Sequence, residues 1–568
     1  MASVSGDTVI EALLLIENAK LPHPSAPLLA SYITEALHPR LAADYVLKLC
    51  HAGHHQRTGL LSLVSDWNYL VESILQRGCS PQKPDAETQA AIVRRDGARC
   101  CITGKTGRFG DPLVIVPVSK PPLAGLMTSI RYARCLFHSP YRDWWLAYAQ
   151  NPDDMYPYHN HWLVRKSAAT AFAQCFIKLD RLQPSMIEYE AMHVYLGLID
   201  KPLELEGCFP LLGDHSRSRI QKVDARFLGT QARLCKSFRW LEIAKQVALD
   251  QEARTTPSKN HAKGSKKGLE RDKKNNPSLG GLLGSVCLAV WLVVPARARV
   301  AAYKLLRKAG DYLYGAPDAT AQVRRLPFGL YLKYLGDPDG FRNEFNALQI
   351  VRRYTSIPVP RPLDVVSIPS TSSDPFYSYD AYLLTTRVPG TCLSLCEDMF
   401  SDQDAAAFVA QMQDFLTQLR AIPKTVSPEY AICNTLGGAI RDPRINNGNP
   451  VGPFVNEESF SQLLRNPDEQ SRRGHDIVFT HADLNPRNIL VDRVVKPDGT
   501  RGWEITGIVD WENSGHYPAY WDLTKSLFEA FRMPLRWRDM MLGVYRRFGD
   551  FEGEVEVEKR SWEEGDYI

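Results

Sequence analysis

The residues with the clearest chemical use lie in DIVFTHADLNPRNILVD, positions 476–492. A short polar loop, His481-x-Asp483-x-x-x-x-Asn488, is delivered by one apolar β-type run, IVFT, and carried away by a second, NILVD. A carboxylate at the centre of such a loop can take the hydrogen bond and then the proton of an attacking hydroxyl. An amide five residues later can turn back as an oxygen ligand for magnesium. Downstream, in ITGIVDWENSGHYPAYWDL, 505–523, an apolar strand ends on Asp510, a hard oxygen donor suited to magnesium bridging nucleotide phosphates. Glu512 stands two residues on, placed either beside that metal or to hold the loop, and Asp522 reads as a support of the catalytic loop from a following helix.

These groups need partners that hold the phosphates, and FGLYLKYLGDPDGFRNEFNALQIVRRYTSIPVPRPL, 328–363, supplies them. Lys333 falls in an alternating strand pattern, from which a lysine reaches the α- and β-phosphates. Glu344 falls in a helical run, placed to pair with Lys333 and fix its direction. The stretch YLLTTRVPGTCL, 382–393, then crosses between lobes with backbone groups on offer to adenine. A lone HxD or DW would carry little weight, because loop aspartates usually cap or turn the chain. Five groups in one order, each on the element its role requires, carry more.

This set resembles the aminoglycoside phosphotransferase and choline kinase superfamily over roughly residues 325–550. HADLNPRNILVD is similar to that family's HGDLxxxNIL-type loop, IVDWE to its IDWE-type metal strand, and IPVPRPL to the segment after its glutamate-bearing helix. The resemblance implies a two-lobed protein-kinase-like fold, ATP and Mg2+ as cofactors, and a small hydroxylated acceptor. It further implies Asp483 as catalytic base, Asn488 and Asp510 as metal ligands, and Lys333 with Glu344 as the nucleotide-holding pair. His481 reads as a structural hydrogen-bonding residue. Two departures stand out: Ala482 replaces the usual glycine, and GAPDATAQVRRLPFG, 315–329, contains no GxGxxG loop.

A chain of 568 residues needs more than one core. The fold class expected is α+β, with the kinase-like domain over 301–568 preceded by a mixed, mainly helical domain over 1–250. EALLLIENAK, LLASYITEALHP, LAADYVLKLCHAG, TSIRYARCLFH, DWWLAYAQNP and LCKSFRWLEIAKQVA all show helical spacing. Between the domains, residues 251–278 hold eight Lys/Arg against three acids and almost no large apolar side chains, the composition of a flexible linker. An uncharged window then runs from Asn275 to Ala296, and three readings of the apolar helix over 279–300 stand: membrane-spanning, interfacial, or packed on the kinase domain. Membrane-surface contact is thus open for that segment.

The net charge of +4 is small for this length and does not point to nucleic acid as a partner. Twelve cysteines with no CxxC pair, and a start lacking a basic and then apolar leader, point to reduced thiols and an intracellular, cytoplasmic location.

In the N-terminal half, AIVRRDGARCCITGKTGRFGDPLVIVP, 91–117, resembles the opening of HNH-type endonucleases, and HNHWLVRKSAATAFAQCFIKLDR, 159–181, resembles their asparagine turn and final helix. The expected ββα element therefore lies within about 91–181. LVIVP lacks the family's histidine, and SAATAFA puts small residues where a metal-binding histidine is expected, so the scaffold reads as one that has lost its chemistry. The literal His159-Asn160-His161 is a coincidence of letters, because three adjacent side chains cannot converge on one metal. The function expected is an ATP- and Mg2+-dependent phosphotransferase, with a non-catalytic scaffold built on degenerate kinase and HNH folds as the alternative.

Overall fold

The computed structural model describes residues 4–51, 56–76, 83–120, 139–151, 157–182, 188–198, 202–205, 210, 212, 219–255, 279–315, 322–335, 337–370, 379–495, 501–528 and 535–565. The chain divides into two compact units, Met1–Glu252 with Asp398–Asp402, and Ala253–Glu397 with Gln403–Ile568. Most of the linker expected over 251–278 and the TSIRYARCLFH segment lie outside the described residues.

Unit 1 is mainly helical: α1 Val4–Asn18, α2 Ser25–Thr34, α3 Pro39–His51, α4 Gln56–Leu75 and α5 Ala86–Arg95 precede β1 Leu113–Pro117 and α6 Ser139–Gln150. Then follow β2 His161–Arg165, α7 Lys166–Ala173, β3 Ile177–Arg181, β4 Tyr189–His193 and the long α8 Ala225–Thr255. The first five residues of the expected linker thus continue a helix. Phe227, Leu234 and Phe238 of α8 are buried with Trp67 and Tyr32, and the hydroxyl of Ser237 on the same helix is paired at that depth. Ser237 Oγ lies 2.6 Å from Ser31 Oγ and accepts from Trp67 Nε1 at 3.1 Å.

The strands β1 and β2 pair antiparallel, Leu113 with Arg165 through Pro117 with His161, and α7 follows β2 directly. Arg95 and Asp96 clamp this pair from α5. Arg95 donates to the carbonyls of Tyr158 at 2.7 Å and His161 at 2.8 Å, while Asp96 accepts from Leu163 N at 2.9 Å. Asn160 holds both backbone groups of Ser119, at 3.0 and 2.8 Å, and the His161 ring faces Pro157 O at 3.0 Å. Those two adjacent side chains therefore serve different partners and do not converge.

Unit 2 opens with α9 Leu279–Val293 and α10 Ala296–Tyr314. Of the apolar helix expected over 279–300, α9 covers the part up to Val293, and Pro295, the end of the apolar run, stands at the N-cap of α10. Trp291 Nε1 donates to the Tyr303 hydroxyl, Oη, at 2.8 Å, so the end of α9 is folded onto α10, while Val286, Val290 and Val293 stay exposed. Among the described residues no single helix is long and apolar enough to cross a membrane. Gly310 lets α10 lie against the sheet, because a Cβ there would stand 2.3 Å from Arg325 O.

That sheet has the order β5 Val323–Leu326, β6 Leu330–Tyr334, β8 Tyr379–Thr386, β7 Pro362–Pro369, all neighbours antiparallel. Across it packs α11, Pro338–Tyr354. Its start is written in the sequence: Asp337 caps Gly340 N at 2.8 Å and Pro338 takes the first turn, while Arg352 and Arg353 sit in the last. Phe341, Ala347, Leu348 and Val351 are buried at helical spacing, and Glu344 shares their face.

Past the crossing segment come β9 Thr391–Cys392, α12 Asp402–Arg420, β10 Cys433–Asn434, β11 Ile477–Thr480, β12 Ile489–Val495, β13 Arg501–Ile508 and β14 Gly515–Pro518. They form two three-stranded sheets, β13-β12-β9 and β10-β14-β11. The helices α13 Trp521–Leu527, α14 Leu535–Tyr545 and α15 Glu552–Glu563 complete the unit.

Two histidines of this unit should give it a stability optimum. His475 lies between Glu457 at 2.6 Å and Glu554 at 3.1 Å; burial works against its charge, yet these bonds win and raise its pKa to about 9. Stability from a raised pKa is fully present below the ordinary value of 6.5 and is lost as pH rises through about 9. Among the described residues neither ring nitrogen of His516, on β14, has a hydrogen-bond partner, and burial pushes its pKa down to about 4. Its contribution is present above 6.5 and lost as pH falls toward about 4. Each limb should cost on the order of 2 kcal/mol. Urea unfolding across pH 4 to 9 checks this, with His475→Gln expected to flatten the alkaline limb only. An alkaline limb unchanged by that substitution would refute the assignment.

Candidate active site

The loop between β11 and β12 carries Asp483 and Asn488, as the sequence pattern requires. Its shape is fixed from beneath by Asp522, the second residue of α13. The Asp522 carboxylate accepts from Ala482 N at 2.7 Å and from His481 N at 3.2 Å. Ala482 has φ +63°, in the left-handed region that favours glycine, so alanine here carries strain of about 1 kcal/mol. His481 is a structural link: its Nδ1 accepts from Asp483 N at 3.2 Å, which leaves Nε2 to donate to Val509 O at 2.9 Å. Val509 N in turn donates to Asn488 O at 2.9 Å, so the segment bearing Asp510 is tied to both ends of the loop.

Asn488 Nδ2 donates to Asp483 O at 2.9 Å and to Asp483 Oδ2 at 3.0 Å. That orientation leaves its Oδ1 as the acceptor end. Asp510, with φ +69°, turns its carboxylate directly onto Lys333 of β6. Lys333 Nζ also lies 2.6 Å from Glu344 of α11 and 3.7 Å from Glu512. The structure therefore joins Lys333, Glu344 and Asp510 in one ion cluster and Asp483 with Asn488 in a hydrogen-bonded loop. Asn343, one residue before Glu344, locks α11 to this region by donating to Glu512 O and Ser514 O, both at 2.8 Å.

Three carboxylates face one ammonium. Burial disfavours the Lys333 charge, but Glu344, Asp510 and Glu512 together hold its pKa above the usual value. Burial, reinforced by the charges of Asp510, Glu344 and Asp483 against Lys333, pushes Glu512 up to about 7. Asp510 keeps a lowered pKa because Lys333 outweighs burial. Ligand oxygens of Glu344, Asp510 and Glu512 lie within 4.8 Å of one another. An all-oxygen set with surplus negative charge fits a hard divalent cation such as magnesium.

Where a glycine-rich loop would lie, β5 and β6 are joined by the three-residue turn Pro327–Gly329, with Phe328 at φ +65° and exposed. Lys525 of α13, which the sequence pattern did not single out, lies 3.5 Å from Asp483 Oδ1.

Among solved structures, the chain is similar to a thermostable mutant of aminoglycoside phosphotransferase APH(4)-Ia, with 13% identity, 44% of this chain and 86% of that one covered, and a TM-score of 0.30. It is also similar to APH(2")-IIia in complex with GDP and kanamycin, with 14% identity, 43% and 82% covered, and a TM-score of 0.29. A choline/ethanolamine kinase family protein from Mesorhizobium loti gives 16% identity, 47% and 81% covered, and a TM-score of 0.25. No curated protein matches the chain. The model of the phosphotransferase enzyme family, APH, matches residues 330–554, which span Lys333, Glu344, Asp483, Asn488 and Asp510. Residues 330–554 are a domain of the APH phosphotransferase family.

Proposed function

We propose that unit 2 is an ATP- and magnesium-dependent phosphotransferase acting on the hydroxyl of a small molecule. The observation that carries the reading is the Lys333–Glu344–Asp510 ion cluster beside the Asp483–Asn488 loop, bound together through Val509. Asp483 accepts the acceptor hydroxyl's proton as its oxygen bonds to the γ-phosphorus and the bond from that phosphorus to the departing nucleoside diphosphate breaks. Lys333, directed by Glu344, holds the α- and β-phosphates. Asp510 and Asn488 would hold magnesium, with Glu512 adjacent, and when bound it neutralises phosphate charge.

The test is magnesium-dependent ATP binding and turnover by the protein beside its Asp510→Ala variant. Both should be present in the parent and lost in the variant. Absence of nucleotide binding in the parent overturns the reading. It would favour a non-catalytic scaffold, the reading supported by the short Pro327–Gly329 turn in place of a glycine-rich loop.

For unit 1 we infer an HNH-like scaffold without nuclease chemistry over about residues 91–181. Support comes from the β1–β2 pair running straight into α7 and from Asn160 being spent on Ser119. Metal-dependent cleavage of plasmid DNA by the protein would overturn that reading.

A further inference from the structure

Beneath the candidate base lies a buried ion network that the phosphotransfer reading does not use. Arg444, fully buried, binds Asp442 through Nε at 3.1 Å and Nη2 at 2.8 Å. Its third nitrogen, Nη1, reaches Glu558 of α15 at 2.7 Å and Thr524 of α13 at 3.1 Å. The guanidinium lies 4.3 Å above the Trp521 ring. Arg472, also fully buried, stands 3.6 Å from Glu558.

Two cations and two anions balance this network without help. Lys525 nevertheless adds a third cation at its edge, with its side chain 8% exposed. Its Nζ is 3.7 Å from Asp442 Oδ1 and 3.5 Å from Asp483 Oδ1. An ammonium that far from water needs an anion of its own. Asp442 is already engaged by Arg444, so the charge left to answer Lys525 is Asp483.

The two oxygens of Asp483 are thereby met from different elements. Asn488 of the loop donates to Oδ2 at 3.0 Å, and Lys525 of α13 faces Oδ1. Asn488 alone would leave the carboxylate one anchor and freedom about its χ angles. The second contact fixes the plane of the carboxylate and ties it to a rigid, charge-balanced floor reaching α15.

We infer that Lys525 is a positioning residue for phosphoryl transfer, holding the Asp483 carboxylate in register through the buried Asp442–Arg444–Glu558 network. It touches the base and not the nucleotide-holding cluster, so its loss should lower turnover and spare nucleotide affinity. The inference rests on the phosphotransfer reading of Asp483.

The test compares the parent with Lys525→Met and Lys525→Arg in magnesium-dependent ATP turnover, with water as acceptor, and in ATP affinity. Lys525→Met should lower kcat by about 10- to 100-fold, the scale of a misplacement near 1 Å. The KM for ATP should change less than about threefold, and Lys525→Arg should recover most of kcat, since a second cation restores the pair. Unchanged kcat in Lys525→Met overturns the inference. So does a loss of kcat matched by an equal loss of ATP affinity and a collapsed thermal transition, because Lys525 is then only part of the core. No turnover in the parent is a different outcome: the phosphotransfer reading itself fails, and this one with it.

Discussion

Asp483→Asn should lower turnover by about 10²- to 10⁴-fold while ATP affinity in the presence of magnesium stays within a few-fold of the parent. The asparagine keeps the shape of the side chain and a carbonyl oxygen able to accept from Asn488. What it loses is the ability to take a proton. The nucleotide-holding groups lie on other elements, Lys333 on β6, Glu344 on α11 and Asp510 after β13, so binding should be preserved. Steady-state turnover together with calorimetric titration of ATP separates the two effects. Near-parental turnover would remove Asp483 from the role of base. Joint loss of binding and turnover would instead make its bond to Asn488 the main contribution, since that bond shapes the loop.

Arg444→Met should be the most destabilising substitution in unit 2 that leaves the nucleotide-holding cluster intact. It removes the cation from a site where Asp442 is fully buried and Glu558 nearly so. Two carboxylates would then lose their main counter-charge in a low-dielectric interior, at about 3–5 kcal/mol. For a unit of this size that corresponds to a fall of roughly 10 °C in Tm. Thermal unfolding followed by calorimetry checks the figure. Neutralising the partners along with it, as Asp442→Asn, Arg444→Met and Glu558→Gln together, should recover part of the loss, because the cost comes mainly from uncompensated charge. A single variant within about 1 kcal/mol of the parent, the range of an exposed pair, would show that water reaches the network.

Much of the site was legible along the chain because its members sit on regular elements with clear local signals. Lys333 alternates with apolar residues in a strand, and Glu344 follows the Asp337–Pro338 helix start by a fixed number of residues. Asp483 and Asn488 lie between two apolar runs that became β11 and β12. The mainly helical character of unit 1 follows from apolar residues at helical spacing, whereas of the stretch 382–393 expected to cross between lobes, residues 382–386 belong to β8 and 391–392 to β9. The end of the apolar run at Pro295 is local too: lacking an N–H, that proline stands between one helix and the next.

The sequence by itself determined the identity and order of the chemical groups, because each is fixed by residue type and by spacing within one short element. Only the tertiary structure decided how charge is shared among them. Glu512 joins Glu344 and Asp510 around one lysine, and Lys525 meets Asp483, through packing of segments far apart in the chain. The network under the base draws on Asp442, Arg444, Arg472 and Glu558, which have no common motif and look like ordinary surface charges in the sequence. Coulomb energy depends on distance and burial, and neither is set by local spacing.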